Sequence, residues 1–242
     1  MAKPAPDVLS HASATGQGQS PARSCWQEFS PRFADERECL ASFLALECAE
    51  VLAGQKPANL LNLSNKRRSC GRNLYLLWKN HGDALLSRSG LSAKVLDDRG
   101  HSLLLMFYRP ESLQALLDRN PVAALLARAG YPRPLDCRSA LSHLQSRVIA
   151  GGHDFPHEIG VFLGYPLKDV VCFMGWGKAP FTCQGPWKIF GNPTESLRLA
   201  ETHRACRCHM SQLLDRGCNP IDCLMASGAA ATPGETELFR AA

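Results

Sequence analysis

The sequence predicts an α+β fold: a small mixed sheet covered by several helices, in a single domain from about residue 28 to 224. Three observations carry that reading. Helix-start signals recur ahead of apolar periodic runs, as at Ser30-Pro31, Asn120-Pro121 and Asn192-Pro193-Thr194-Glu195. Strand-like runs are few and short, and one pair is joined by the hairpin turn Asp97-Asp98-Arg99-Gly100. No internal repeat and no regular strand–helix alternation is present, which argues against a doubly wound parallel sheet.

Each element has its own reason. The flanks, residues 1–27 and 225–242, are polar and rich in small residues without an apolar period, and both read as disordered segments. Ser30-Pro31 opens a first helix whose apolar face is Cys39, Leu40, Phe43, Leu44, Leu46 and Val51, with Gly54 at its end. Residues 59–63 form a short apolar strand. Leu74 to Leu86 reads as a helix with Leu74, Leu77 and Trp78 on one side. Residues 95–96 and 103–108 are the two arms of the hairpin. Arg109-Pro110 leaves the second arm, and two short helices follow, over 111–119 and 121–129.

A further amphipathic helix spans 137–149. Next comes a stretch dense in Gly, Pro and aromatic residues. Asp154 and Pro156 suggest a capped helix start that buries Ile159, Phe162 and Leu163 and stops at Gly164. A short helix over 167–174 and a strand over 181–190, bent at Gly185-Pro186, complete that stretch. The last helix starts at the Asn-Pro-Thr-Glu cap and ends at Gly217, with Leu199, His203, Cys206, Met210 and Leu213 spaced along one face.

Composition excludes several classes. Hydrophobic content of 45% and charged content of 20% are those of an ordinary globular chain. No apolar run approaches the ~18 residues of a membrane span, and no secretory signal stands at the start, so a cytoplasmic location without a membrane partner is expected. A net charge of +5 is too mild for a chain built to grip nucleic acid. The 11 cysteines are odd in number and scattered, which suits reduced thiols buried as small apolar groups. There is no phosphate-binding loop, dinucleotide fingerprint or nucleophile elbow.

The segment Phe155-Pro156-His157-Glu158-Ile159-Gly160, then Phe162-Leu163-Gly164-Tyr165-Pro166, Asp169-Val170 and Trp187-Lys188, resembles the signature of a bacterial family, domain of unknown function 3793. The resemblance extends to Glu47-Cys48, Leu52-Ala53-Gly54, Lys56, Ala58-Asn59-Leu60, Tyr108-Arg109-Pro110 and Cys206, over roughly residues 35–217. It brings no assigned activity with it. Glu47 stands where the family usually has His, and Pro186 where it has Tyr or Gly-Tyr.

His157, Glu158 and Cys48 are the candidate catalytic residues, with Arg109 and Lys188 as candidate ligand-binding cations. Adjacent helical residues diverge by about 100°, so His157 and Glu158 cannot share one target; one can face a cleft while the other serves the local structure. Cys48, near a helix C-terminus, needs a nearby base such as His157 to become a nucleophile. Arg109 and Lys188 can bind an anion or stand as solvated edge charges. The run Lys66, Arg67, Arg68 and Arg72 is either a solvated turn or an anion site.

His153, Asp154, His157 and Glu158 supply metal-ligand types, but Pro156 interrupts the helical spacing, and no metal is expected. Cys206, Cys208, His209, Cys218 and Cys223 lack the two-residue gap of a metal knuckle. The residues name no cofactor and no protein partner. The leading expectation is a protein that binds a small anionic ligand in a cleft beside the Phe155–Gly160 helix start. One alternative is a non-catalytic interaction module docking through the Trp187 strand region; another is a metal or redox module at the C-terminal Cys/His cluster.

Overall fold

Leu103-Leu104-Leu105-Met106-Phe107 has no polar alternation, because the strand that carries it is covered on both faces. The structure, a computed structural model, describes residues 26–152 and 154–225. In chain order it begins with α1 (Trp26–Phe29), a 3-10 turn (Ser30–Arg32), α2 (Glu36–Glu47), α3 (Ala49–Leu52), β1 (Ala58–Ser64) and α4 (Leu74–Leu86). The hairpin β2 (Ser92–Asp98) and β3 (Ser102–Tyr108) follows, then α5 (Pro110–Leu117), α6 (Asn120–Arg128) and α7 (Cys137–Gly151). The chain continues through α8 (Ile159–Phe162), α9 (Leu167–Phe173), β4 (Phe181–Gln184), β5 (Lys188–Phe190), α10 (Thr194–Asp215) and α11 (Pro220–Met225).

The main sheet has the order β1-β3-β2, and β4-β5 is a separate hairpin. Alternation along β1 and β3 sorts their side chains into two layers. Leu61, Leu63, Leu103, Leu105 and Phe107 pack with α1 to α4, α10 and α11. Ala58, Leu96 and Met106 pack with α5 to α9. In β2 the register shifts between Val95 and Asp97, and Leu96 joins the second layer at 0% exposure while Val95 is left outside. The result is an α+β fold with helices on either side of a three-stranded sheet.

Several expectations need correction. The sheet is antiparallel throughout, not mixed, because β1 enters β3's free edge running opposite to it. The ordered core starts earlier than residue 28: Trp26 is 3% exposed and donates its indole N–H to Ser42. Ser30-Pro31 does not begin the first long helix. The Ser30 hydroxyl turns back to the Gln27 carbonyl, whereas the Asp35 carboxylate accepts the amides of Arg37 and Glu38 and caps α2. Residues 181–190 form two strands folded on each other rather than one bent strand.

Asp154 and Pro156 do not start a helix either. The amides of Ile159 and Gly160 bond to the Pro156 and His157 carbonyls in tight three-residue steps, and the single turn α8 begins only at Ile159. By contrast, α4 has the expected bounds, capped by the Asn73 carboxamide, which accepts the amides of Tyr75 and Leu76. The expected disordered flanks, apart from Trp26, Gln27 and Met225, lie outside the described residues, as does His153.

Candidate functional site

The five residues singled out in the sequence do not converge on one site, although two of them, His157 and Lys188, meet the same Phe173 ring. Glu158 is 1% exposed and accepts hydrogen bonds from the Tyr131 hydroxyl at 3.1 Å and from Arg147 Nε at 2.5 Å. That is a clamp between α7 and the turn before α8. The neighbouring His157 points the other way and is exposed, its ring edge-on to Phe173 at 4.8 Å. Lys188, also exposed, lies over the same Phe173 ring at 5.6 Å. Arg109 is partly buried and reaches the Leu52 carbonyl at the end of α3 at 3.4 Å.

Cys48 is fully buried. Burial, and then the charges of Glu50 and Glu47, push its thiol far above the usual range. His157, by contrast, is exposed and lies against Phe173. The expectation of a His157-activated nucleophile is therefore corrected: Cys48 is an inert core thiol.

A different set of polar residues does converge, at the break between α2 and α3. Cys48 interrupts the helix with a φ of −107°, and α3 ends one turn later at Gly54, whose φ of +68° suits glycine. That turn sends the amides of both Gln55 and Lys56 back to the Glu50 carbonyl, at 2.9 and 3.1 Å. Lys56 is thereby folded over Glu50. The Lys56 ammonium donates to the Asn59 carboxamide of β1 at 2.7 Å, and Asn59 donates to the Glu47 carbonyl at 2.5 Å.

Two further segments close over this point. Gly164 follows α8, and a Cβ there would come within 2.6 Å of the Pro57 ring. Its absence lets Tyr165 come up beside Lys56, whose Nζ lies 5.7 Å from the ring centroid. The Tyr165 ring stacks on Trp187 at 4.4 Å. From α10, Arg207 Nε donates to Glu50 Oε1 at 2.6 Å, and its guanidinium lies 3.5 Å from the partly buried Glu47 carboxylate. His203, one turn earlier on the same face, has its ring 6.3 Å from that of Trp187.

The electrostatics of this cluster are unusual. Glu50, Lys56 and His203 are all more than nine-tenths buried. Among the described residues, Lys56 has no carboxylate within ion-pairing distance. Burial pulls its ammonium down to about 8, against the opposing attraction of Glu50. Burial, and next the Lys56 charge, hold His203 below the usual imidazole range, so the ring is neutral at pH 7. The Gln55 backbone, whose N–H is given to Glu50, hydrogen-bonds that ring. Among the described residues, His203 Nε2 and Glu50 Oε2 are buried without a partner.

Asp169 of α9 holds the aromatic wall in place. Its carboxylate is 1% exposed and accepts from Trp187 Nε1, Ser196 Oγ, the Phe190 amide and Lys168 Nζ, all between 2.6 and 2.9 Å. Burial would raise this carboxyl, but the four donors outweigh it and hold it below the usual range. One carboxylate thus ties α9, β5 and α10 together.

The remaining candidates are dispersed. Cys206 and Cys223 are buried, Cys208 is partly buried and Cys218 is exposed, all as free thiols. Among the described residues no three of His, Cys, Asp and Glu come together as a metal-holding set. Trp187, the expected docking residue, is turned inward. The large exposed apolar side chains Leu76, Val95, Ile149, Phe181 and Leu197 lie on five different elements. An open groove of about 360 Å³ at the start of α10 is lined by Lys168, Asn192, Thr194, Glu195 and Arg198. Its Lys168 is already bonded to Asp169 and the Phe190 carbonyl, and none of the buried cluster lines it.

Sequence reasoning passed over Glu50, Lys56, His203 and Arg207 as site residues. A signal for two of them was present: Glu50 interrupts the apolar face that runs from Leu46 to Val51, and His203 sits among Leu199, Cys206 and Met210. A polar side chain at a buried helical position asks for a partner.

Fold and site together define the class: an α+β protein, with helices on both faces of an antiparallel sheet, that buries, among the described residues, a lysine without a carboxylate partner and two unpartnered polar atoms beside an aromatic wall. The model of one family, "Protein of unknown function (DUF3793)", matches residues 44–224, and the chain belongs to that family. Neither a curated protein nor a solved structure matches the chain. Among the described residues, no helix is long and apolar enough to cross a membrane.

Proposed function

We propose that this is a cytoplasmic bacterial protein that binds a small anionic ligand, and that the binding groups are Lys56, His203, Glu50 and Arg207. The expected cleft beside the His157 turn is thereby moved to the far end of the same motif, where Tyr165 meets Lys56. The single observation that carries the reading is the buried Lys56 ammonium. Among the described residues its one hydrogen-bond partner is the neutral Asn59 carboxamide. A buried cation without a counter-charge costs several kcal/mol (~3–5 when its partner is removed) and is relieved by an anion in contact with it.

Residues that carry the family resemblance surround this point: Gly54, Lys56, Asn59, Gly164, Tyr165, Asp169 and Trp187. Arg207 and Glu47, each about a quarter exposed, are where this cluster meets solvent. Native mass spectrometry of protein purified from its own host tests the reading. A small acid should accompany the wild-type chain and be lost from folded Lys56→Met. A wild-type protein that carries no acid, and that takes up none from a panel of small carboxylates and phosphates, refutes it.

A further inference from the structure

Resting on that reading, the same site also specifies what the ligand carries besides its charge. Lys56 leaves ammonium hydrogens free beyond the one given to Asn59. The two unpartnered atoms are of the opposite kind. Glu50 Oε2 belongs to a carboxylate whose other oxygen is held by Arg207, so it accepts. Gln55 offers only its carbonyl to the His203 ring, so the nitrogen facing it carries the proton and Nε2 accepts. The three groups border one site: the Lys56 amide is bonded to the Glu50 carbonyl, and Lys56 and His203 flank the stacked rings of Tyr165 and Trp187, at 5.7 Å from the first and 6.3 Å from the second.

A simple anion satisfies the lysine and leaves both acceptors bare. It also brings negative charge toward the Glu50 carboxylate, which is repulsive unless a donor stands between them. A group with N–H or O–H bonds next to the anion removes both problems. The aromatic wall of Tyr165 and Trp187 suits the short carbon skeleton joining the two groups.

We infer that the ligand is a small acid bearing a hydroxyl or amino group beside its anionic end, with the anion on Lys56 and the donor group shared between Glu50 Oε2 and His203 Nε2.

Calorimetric titration with matched probes tests this, in a carboxylate series (propionate, lactate, alanine) and, at pH 8, a phosphate series (ethyl phosphate, glycerol phosphate, phosphoethanolamine). In whichever series binds, the hydroxy or amino member should bind about tenfold or more tighter than the plain anion, as two hydrogen bonds to buried acceptors predict. His203→Leu should reduce that preference to near unity while the plain anion still binds. Glu50→Gln should do the same, with thermal melting confirming that it folds. Lys56→Met should abolish binding of every member.

Equal binding of the plain and the donor-bearing acids overturns the inference and leaves the anion reading standing. Binding of ethanolamine as tight as that of alanine shows that the amine alone is recognised and overturns both. So does an absence of binding by every probe.

Discussion

Replacing Asp169 by Ala tests how the aromatic wall of the site is held. Removal of the carboxylate leaves three donors in a largely buried position: the Trp187 indole N–H, the Ser196 hydroxyl and the Phe190 amide. Each buried donor left unmade costs about 1–3 kcal/mol. The Ser196 hydroxyl can rotate, and a water can enter the vacated volume, so the full sum is not reached. Lys168 is one-third exposed and returns to solvent at little cost. The expected loss for Asp169→Ala is therefore about 3–5 kcal/mol, in the range for breaking a buried charged network. Lys168→Met, which removes only the exposed member, should lose less than about 1 kcal/mol.

Urea unfolding followed by far-UV circular dichroism measures both. The pH dependence adds a second test. The folded pKa of Asp169 is depressed below the ordinary carboxyl value of 3.8, so its contribution is present above that pH and disappears as pH falls through the folded value. The gap between wild type and Asp169→Ala should narrow on acidification in that window. A loss under about 1 kcal/mol at pH 7, or a gap that widens in acid, would refute the argument that this carboxylate carries the junction of α9, β5 and α10.

Two more predictions concern groups with opposite roles. His157→Ala, an exposed ring on Phe173, should change stability by less than about 1 kcal/mol, while Glu158→Ala should cost about 2–3 kcal/mol by denaturant titration, because Tyr131 loses its partner and Arg147 is only partly solvated. The reverse order would show that the motif's histidine, not its glutamate, is the clamp. Lys56 has a folded pKa of about 8 against 10.5 in the unfolded chain, so the unfolded state binds more protons between those values. Wild-type stability should therefore rise with pH across that window. Lys56→Met should be at least as stable as wild type at pH 7 and show no such rise; a Met variant that unfolds more easily at pH 7 contradicts an uncompensated buried charge.

Local chemistry made much of the fold legible. Asn73 ahead of the run from Leu74 to Leu86 gives α4 its bounds, since cap and apolar period act within a single turn. The turn at Arg99-Gly100 pairs β2 with β3 for the same reason. The family signature was also legible, because its Gly, Pro and aromatic residues lie close together in the chain. Choices between equivalent local signals were not. Ser30 and Asp35 both offer a helix cap, and the turn of the Ser30 hydroxyl back to Gln27 leaves the start of α2 to Asp35.

The candidate site shows the same division. By itself the sequence determined that His157 and Glu158 point apart, that Gly54 and Gly164 end their helices, and that a Lys, an Asn and several aromatic residues belong to one motif set. Only the tertiary structure decided that Glu158 turns inward to Tyr131 and Arg147, leaving His157 outside. It alone brought Arg207 and His203 from α10 against Glu50 and Lys56, some 150 residues away in the chain. The physical reason is range. Backbone geometry and capping act within a few residues and can be read from their neighbours. A buried charge is settled by whichever distant side chain the packing of helices on the sheet brings to it.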